Sequence, residues 1–214
     1  MKVVFLVFVL AIQGITYGQG FTLVFFNKKV DKEELPADQV KKIMDGHMAN
    51  LNRLATEGKL WAAGPFDGGG GIFIFKSNSA EEVNEWLAAD PGIQAKRWDI
   101  EVFPYGPRVG AVCSVGKDYE MTHYYFVRYS IQKTGQSNDT MSAVLHQTYI
   151  KQWIGAGSVI AEGSLGETEG SILVLKEEPA SEKLANDPAV KSGALTMDLK
   201  KLFIAKGSFC EPKH

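Results

Sequence analysis

Two stretches of this 214-residue chain repeat one another, and that repetition sharply limits the folds open to it. His47, Gly58 and Gly64 stand 11 and 6 residues apart, and His146, Gly157 and Gly163 keep both spacings at an offset of 99. Asp90-Pro91 returns as Asp187-Pro188 at an offset of 97; the drift falls between elements, where length changes are tolerated. A period near 100 residues describes a duplicated domain. Solenoid units are shorter, roughly 20–50 residues.

Both units read alike. Phe21 to Lys29 and Met121 to Ser130 are rich in aromatic and β-branched residues and read as opening strands. A helix follows in each. Asp38 is the expected N-cap of the first, with Val40, Ile43, Met44, His47, Leu51 and Leu54 on one stripe; Asp139 is the expected cap of the second, with Ala143, His146, Ile150 and Trp153. Gly58 and Gly157 stop these helices. Two strands come next, Leu60 to Gly64 with Ile72 to Lys76, and Ser158 to Gly163 with Ser171 to Lys176. Short helices, Ala80 to Ala89 and Ala180 to Asn186, end at the Asp-Pro pairs, and closing strands begin near Trp98 and Leu199. The order βαββαβ defines a ferredoxin-like unit of the α+β class, with both helices on one face of an antiparallel sheet. The other face needs cover. His123, Tyr125, Val127 and Tyr129 alternate along a strand and are assigned to that open face, too aromatic for water. Packing the two units sheet to sheet, as an intramolecular dimeric α/β barrel, meets the need in one chain. The expected boundaries are 19–105 for the first repeat, 106–119 for a linker and 120–214 for the second.

Residues 1–18 read as a signal peptide: Lys2, then an apolar run from Val3 to Ile12, then small residues at Gly18 and Gly20. Ten apolar residues are too few to span a bilayer, which takes roughly 20. Export to the periplasm or the medium is the expectation, with no membrane attachment after cleavage. In that setting Cys113 and Cys210 form either a disulfide or a pair of buried free thiols. The formal net charge of -2 and the lack of a basic run exclude an electrostatic case for nucleic acid.

The segment from His47 through Glu57-Gly58-Lys59-Leu60 to Ala63-Gly64-Pro65 resembles the YciI-like (YCII-related) family, as does Asp90-Pro91 before the last strand. The second copy keeps His146, Gly157, Gly163 and Asp187-Pro188 but has Ser164 in place of the Pro. The family often places Gly six residues after the Asp; Gly193 matches and Lys96 departs. The resemblance implies a ferredoxin-like fold, usually a two-subunit barrel, and a His-Asp pair similar to a catalytic dyad. One branch performs dehydrochlorination of a hydroxylated aromatic.

His47 with Asp90, and His146 with Asp187, are therefore the candidate catalytic residues. An imidazole titrates near neutrality, and a carboxylate on one ring nitrogen fixes the tautomer that leaves the other free to move a proton. The same residues also suit a structural role, since Asp-Pro is a common turn starter. Arg97, Arg108 and Arg128 are read as surface charge before anion holders, and His123 as a metal or haem ligand inside the barrel only if a partner were found. Of Trp61, Trp86, Trp98 and Trp153, most belong to the core, with room for one in a pocket wall. The expected activity is cofactor-independent lyase or isomerase chemistry on a small organic substrate. The alternative is a non-catalytic small-molecule binder or sensor of the envelope; either suits a monomer or a homodimer. No cofactor and no metal are called for.

Overall fold

The computed structural model describes residues 20–132, 140–167 and 169–211. The expected signal peptide and the Asp139 cap lie outside these. Strand β1 (Phe21–Lys28) leads into helix α1 (Ala37–Thr56), then β2 (Leu60–Pro65), β3 (Gly71–Phe75), helix α2 (Ala80–Leu87), the one-turn helix α3 (Pro91–Gln94) and β4 (Trp98–Val109). After β5 (Ala111–Val112) the pattern recurs as β6 (Met121–Ile131), α4 (Thr140–Gly155), β7 (Val159–Leu165), β8 (Gly170–Leu175), α5 (Ser181–Ala185), α6 (Pro188–Lys191) and β9 (Leu195–Ala205), closed by β10 (Phe209–Cys210). No helix among the described residues is long and apolar enough to cross a membrane.

Eight strands form one antiparallel sheet in the order β2-β3-β1-β4-β7-β8-β6-β9. Each half supplies four neighbours, and β4 joins β7 at the seam, where Tyr105 faces Leu165. The two outer strands meet as well: Phe66 bridges Leu202, and the Asp67 N–H donates to the Lys201 carbonyl at 2.9 Å. The sheet thus curls until its edges touch, which leaves little unpaired edge. Its interior is one apolar cluster drawn from both halves, including Leu23, Phe25, Ile72 and Ile74 with Phe126, Ile172, Leu202 and Ile204. The outer face of each half packs against its own helices.

Several expectations need correction. Helix α1 begins at Ala37 after Pro36 with no side-chain cap, so Asp38 sits in the first turn, where its charge meets the helix dipole. Gly106 to Val109, assigned to the linker, continue β4 and pair with β7, because a strand edge at the seam needs a partner. The residues placed on the open face are on the other side: Tyr125, Val127 and Tyr129 pack with Ile150 and Trp153 of α4, whereas Tyr124 and Phe126 face the interior. His123 is exposed outside the barrel with its ring 4.8 Å from Phe203, so it cannot serve as an interior ligand. Both alternating sets of β6 are apolar because both faces are covered, and periodicity then cannot choose between them.

The arginine reading also changes. Arg128 points into the barrel, clamps Glu101 with two hydrogen bonds of 2.6 and 2.8 Å, and lies over the Phe25 ring at 4.3 Å. That contact ties the halves together and, with the hydrogen bond from Asn27, holds the Glu101 carboxyl below its ordinary range against the effect of burial. Arg108 pairs through Nε and Nη2 with Glu162, itself buried. Arg97 donates to the Glu33 carbonyl at an exposed position.

Cys113 and Cys210 are joined in a disulfide with Cα atoms 5.9 Å apart, beside the small β5–β10 pair. The bond closes a loop of sequence separation 97, which removes much freedom from the unfolded chain. Reduction is expected to lower stability by about 2–4 kcal/mol. Thermal melts with and without reductant measure this, and coincident melts would contradict it.

Candidate functional site

Helix α1 buries two polar side chains, His47 and Asn50, together with Leu54. Asp90 meets them from the other side. It does not end the preceding helix, as its sequence position suggested; it caps the new one-turn helix α3, with Oδ1 accepting the Gly92 and Ile93 N–H groups at 2.9 and 3.2 Å. Pro91 at the first helical position suits this start, since its missing N–H would be unpaired there anyway. The same carboxylate reaches His47 Nδ1 at 3.0 Å through Oδ1 and 2.9 Å through Oδ2, and Oδ2 also accepts from Asn50 Nδ2 at 3.0 Å. Asp90 is 0% exposed and His47 6%.

Burial alone would push the Asp90 carboxyl up, but hydrogen bonds from His47, Asn50 and the α3 backbone hold it below its ordinary value of 3.8. A depressed carboxyl contributes stability that is fully present above the unfolded value and is lost as pH falls through the folded one. Acid melts should therefore show a loss of stability beginning near pH 4 and continuing below it, reduced in Asp90→Asn. Identical acid profiles for the two proteins would contradict the assignment.

The imidazole is boxed by aromatic rings: Trp98 at 4.9 Å, Phe73 at 5.8 Å and Phe26 at 6.1 Å between centroids. Of the four Trp residues, Trp98 lines the cavity beside His47, about 350 Å³ in volume, whose other walls include Met44, Met48, Leu51 and Pro65. His47 Nε2 makes no hydrogen bond among the described residues. An imidazole with one nitrogen fixed by a carboxylate and the other beside an apolar cavity can take or give a proton at a bound molecule.

The second half repeats this frame with different walls. Asp187 caps α6 through the Ala189 N–H at 2.9 Å and accepts from His146 Nδ1 at 2.6 Å. The offset that aligns the two His residues puts Tyr149, which donates to the Lys183 carbonyl, where Asn50 stands, so this carboxylate has one side-chain donor fewer. Tyr129 stands edge-on to the His146 ring at 4.7 Å. Its phenol is raised above the ordinary range by burial first and by the charge of Asp187 second. The adjoining cavity is smaller, about 200 Å³, and more polar, with Arg108, Gln147, Ser164 and Ser171 in its walls. Arg108 comes from β4 of the first half, a contribution the sequence did not signal. Lys96 stands where the second half has Gly193, and both are left-handed, at φ 50° and 77°; the first half thus strains a side chain at this rim. Among the described residues no group of three or more His, Cys, Asp or Glu side chains could hold a metal ion.

Fold and site together define a mixed α/β protein with a curled antiparallel sheet and His–Asp pairs under its helices. Residues 21–105 match the YCII-related domain. No curated protein sequence matches the chain at a significant level. Among solved structures, it is similar to a provisionally assigned chlorite dismutase at 12% identity, over 88% of this chain and 94% of that one, with a TM-score of 0.50. Two provisionally assigned monooxygenases align at a TM-score of 0.44 and 12% identity. They come from Lactobacillus acidophilus NCFM, over 91% of this chain and 99% of that one, and from Fusobacterium nucleatum subsp. nucleatum ATCC 25586, over 92% and 100%. At 12% identity the likeness to the first of these speaks for the fold alone, an antiparallel sheet similar to those of dimeric α/β barrel proteins.

Proposed function

We propose that the first cavity performs acid–base chemistry on a small, largely apolar organic molecule, with His47 taking or giving the proton and Asp90 orienting it. The observation that carries this is the pairing of one His47 nitrogen with a fully buried carboxylate while the ring lines an apolar cavity of about 350 Å³. Elimination and isomerisation both begin with removal of a proton from carbon, so the reading can be tested without knowing the product. Wild type and His47→Gln would be incubated in heavy water with a panel of small cyclic ketones and lactones. Exchange of the acidic C–H, followed by NMR, should be accelerated by wild type alone. Equal exchange in both would overturn the reading, and binding without exchange would leave a binding protein.

On the same reading the chain is two YCII-related copies forming within one molecule the barrel that two subunits usually build. The shared spacing of His, Gly and Gly, the recurrent capping Asp and the matching strand orders of the halves support it. Export is part of the proposal. Its support is the charged, apolar and small-residue pattern of residues 1–18 together with the Cys113–Cys210 disulfide, a bond that persists in oxidising compartments.

A further inference from the structure

In the second half a third side chain joins the His–Asp pair. Ser171 lies on β8 opposite Tyr129 and Ser164, and its Oγ is 3.5 Å from His146 Nε2, the ring nitrogen not engaged by Asp187. Carboxylate, imidazole and hydroxyl thus follow one another in a line of hydrogen bonds, with exposures of 0%, 5% and 6%. His146 and Ser171 both line the cavity of about 200 Å³.

The hydroxyl is not part of the frame the halves share. Gly71 holds the equivalent place in the first half, opposite Phe26 and Pro65. A Cβ there would stand 2.5 Å from the Gly64 carbonyl oxygen, so the first copy cannot carry this serine without moving backbone. Nor does a buried imidazole in this frame require such a partner for folding, because His47 stands in it without one.

We propose that Ser171 is an acyl-accepting nucleophile and that the second cavity hydrolyses small, uncharged esters. Ser171 Oγ attacks the ester carbonyl carbon while His146 Nε2 takes its proton. The tetrahedral adduct collapses with cleavage of the ester C–O bond, and His146 returns the proton to the departing alkoxide, which leaves as the alcohol. Water, losing a proton to the same nitrogen, then attacks the acyl-serine; the carboxylic acid departs and Ser171 regains its hydrogen. Asp187 positions the ring and stabilises its charged form. The side-chain N–H donors lining the cavity that could serve the developing oxyanion are the Gln147 amide and the Arg108 guanidinium, which Glu162 holds through Nε and Nη2. Ile131, Ala143 and Leu195 give the acyl group an apolar wall, and the volume restricts it to a short chain. A separation of 3.5 Å is long for a hydrogen bond, as nucleophile–base contacts commonly are before substrate binds.

This activity uses His146 and Ser171 and stands or falls apart from proton abstraction at His47. The test uses the full chain with p-nitrophenyl acetate and a fluorophosphonate label, followed by mass mapping of the labelled peptide. The expected result is one phosphonate per chain on Ser171, an initial burst of nitrophenolate, and a loss of about a hundredfold or more in Ser171→Ala and His146→Gln. Ser171→Cys should regain acyl transfer through its thiolate, which a merely structural hydroxyl would not explain. Hydrolysis unchanged in Ser171→Ala, or label absent from Ser171 in the wild-type protein, would overturn the proposal. The wild-type labelling result stands even if Ser171→Ala fails to fold.

Discussion

His47→Gln is expected to slow proton exchange at the first cavity by about 10²- to 10⁴-fold, the usual contribution of a positioned acid or base. Glutamine can still donate to the Asp90 carboxylate and fill most of the imidazole's space, so the fold should survive. It cannot titrate near neutrality, and that isolates the proton-transfer role from packing. Asp90→Asn separates the second part of the dyad: the side chain keeps its size, but the charge that favours the imidazolium is gone. We expect a loss of at least about tenfold in rate. His47→Leu completes the series. Leucine takes a donor from the buried Asp90 carboxylate and should cost stability by about 1–3 kcal/mol in either case, but if the ring served only as core no function would suffer. With His47 as the acid or base, the leucine variant should be folded and without exchange activity. A folded variant with full activity would end the acid–base reading of the first cavity. These measurements are kinetic for the first two variants and both kinetic and thermodynamic for the third.

Asp90→Ala should be the most damaging single change to the stability of the first half. The carboxylate is 0% exposed and receives hydrogen bonds from His47, Asn50, Gly92 and Ile93. Removing it deletes the cap of α3, worth about 1 kcal/mol, and strands several buried donors. An overall cost of about 3–5 kcal/mol follows, toward the upper end for single substitutions. Asp187→Ala should cost less, because its carboxylate accepts from His146 and the Ala189 N–H and has no counterpart of the Asn50 bond. Urea unfolding of both variants checks the order. A loss under about 1 kcal/mol for Asp90→Ala would show that capping and pairing do not hold this corner together.

The double role of Asp90 explains why sequence reasoning could place the dyad yet misjudge its setting. The recurrence of His with Asp-Pro was visible in the spacing, and the structure brings each His against its Asp. That the carboxylate starts a new helix was not visible: Pro91 and Pro188 punctuate a chain in the same way whether a helix ends or a four-residue one begins. Strand order followed from the βαββαβ pattern, but the facing of β6 did not, because Tyr124 and Phe126 are as apolar as Val127 and Tyr129. The Gly- and Pro-containing stretch from Gly106 hid the continuation of β4, and with it the delivery of Arg108 to the second cavity. Arg128 and Glu101 illustrate the same limit. Partners separated by 27 residues and brought together by sheet curvature leave no local signal. Ser171 was read only as the start of a strand, and its meeting with His146, 25 residues away, leaves no local signal.

On the proposed reading, Asp90 fixes the His47 ring so that an unprotonated Nε2 is left beside the cavity. Long-range ¹H–¹⁵N NMR of the imidazole, recorded with the ring neutral, tests it most directly. We expect the proton on Nδ1 and an unprotonated resonance at Nε2 in the wild type, with that preference weakened in Asp90→Asn. A neutral ring protonated at Nε2 would contradict the account, since no base would then remain beside the cavity.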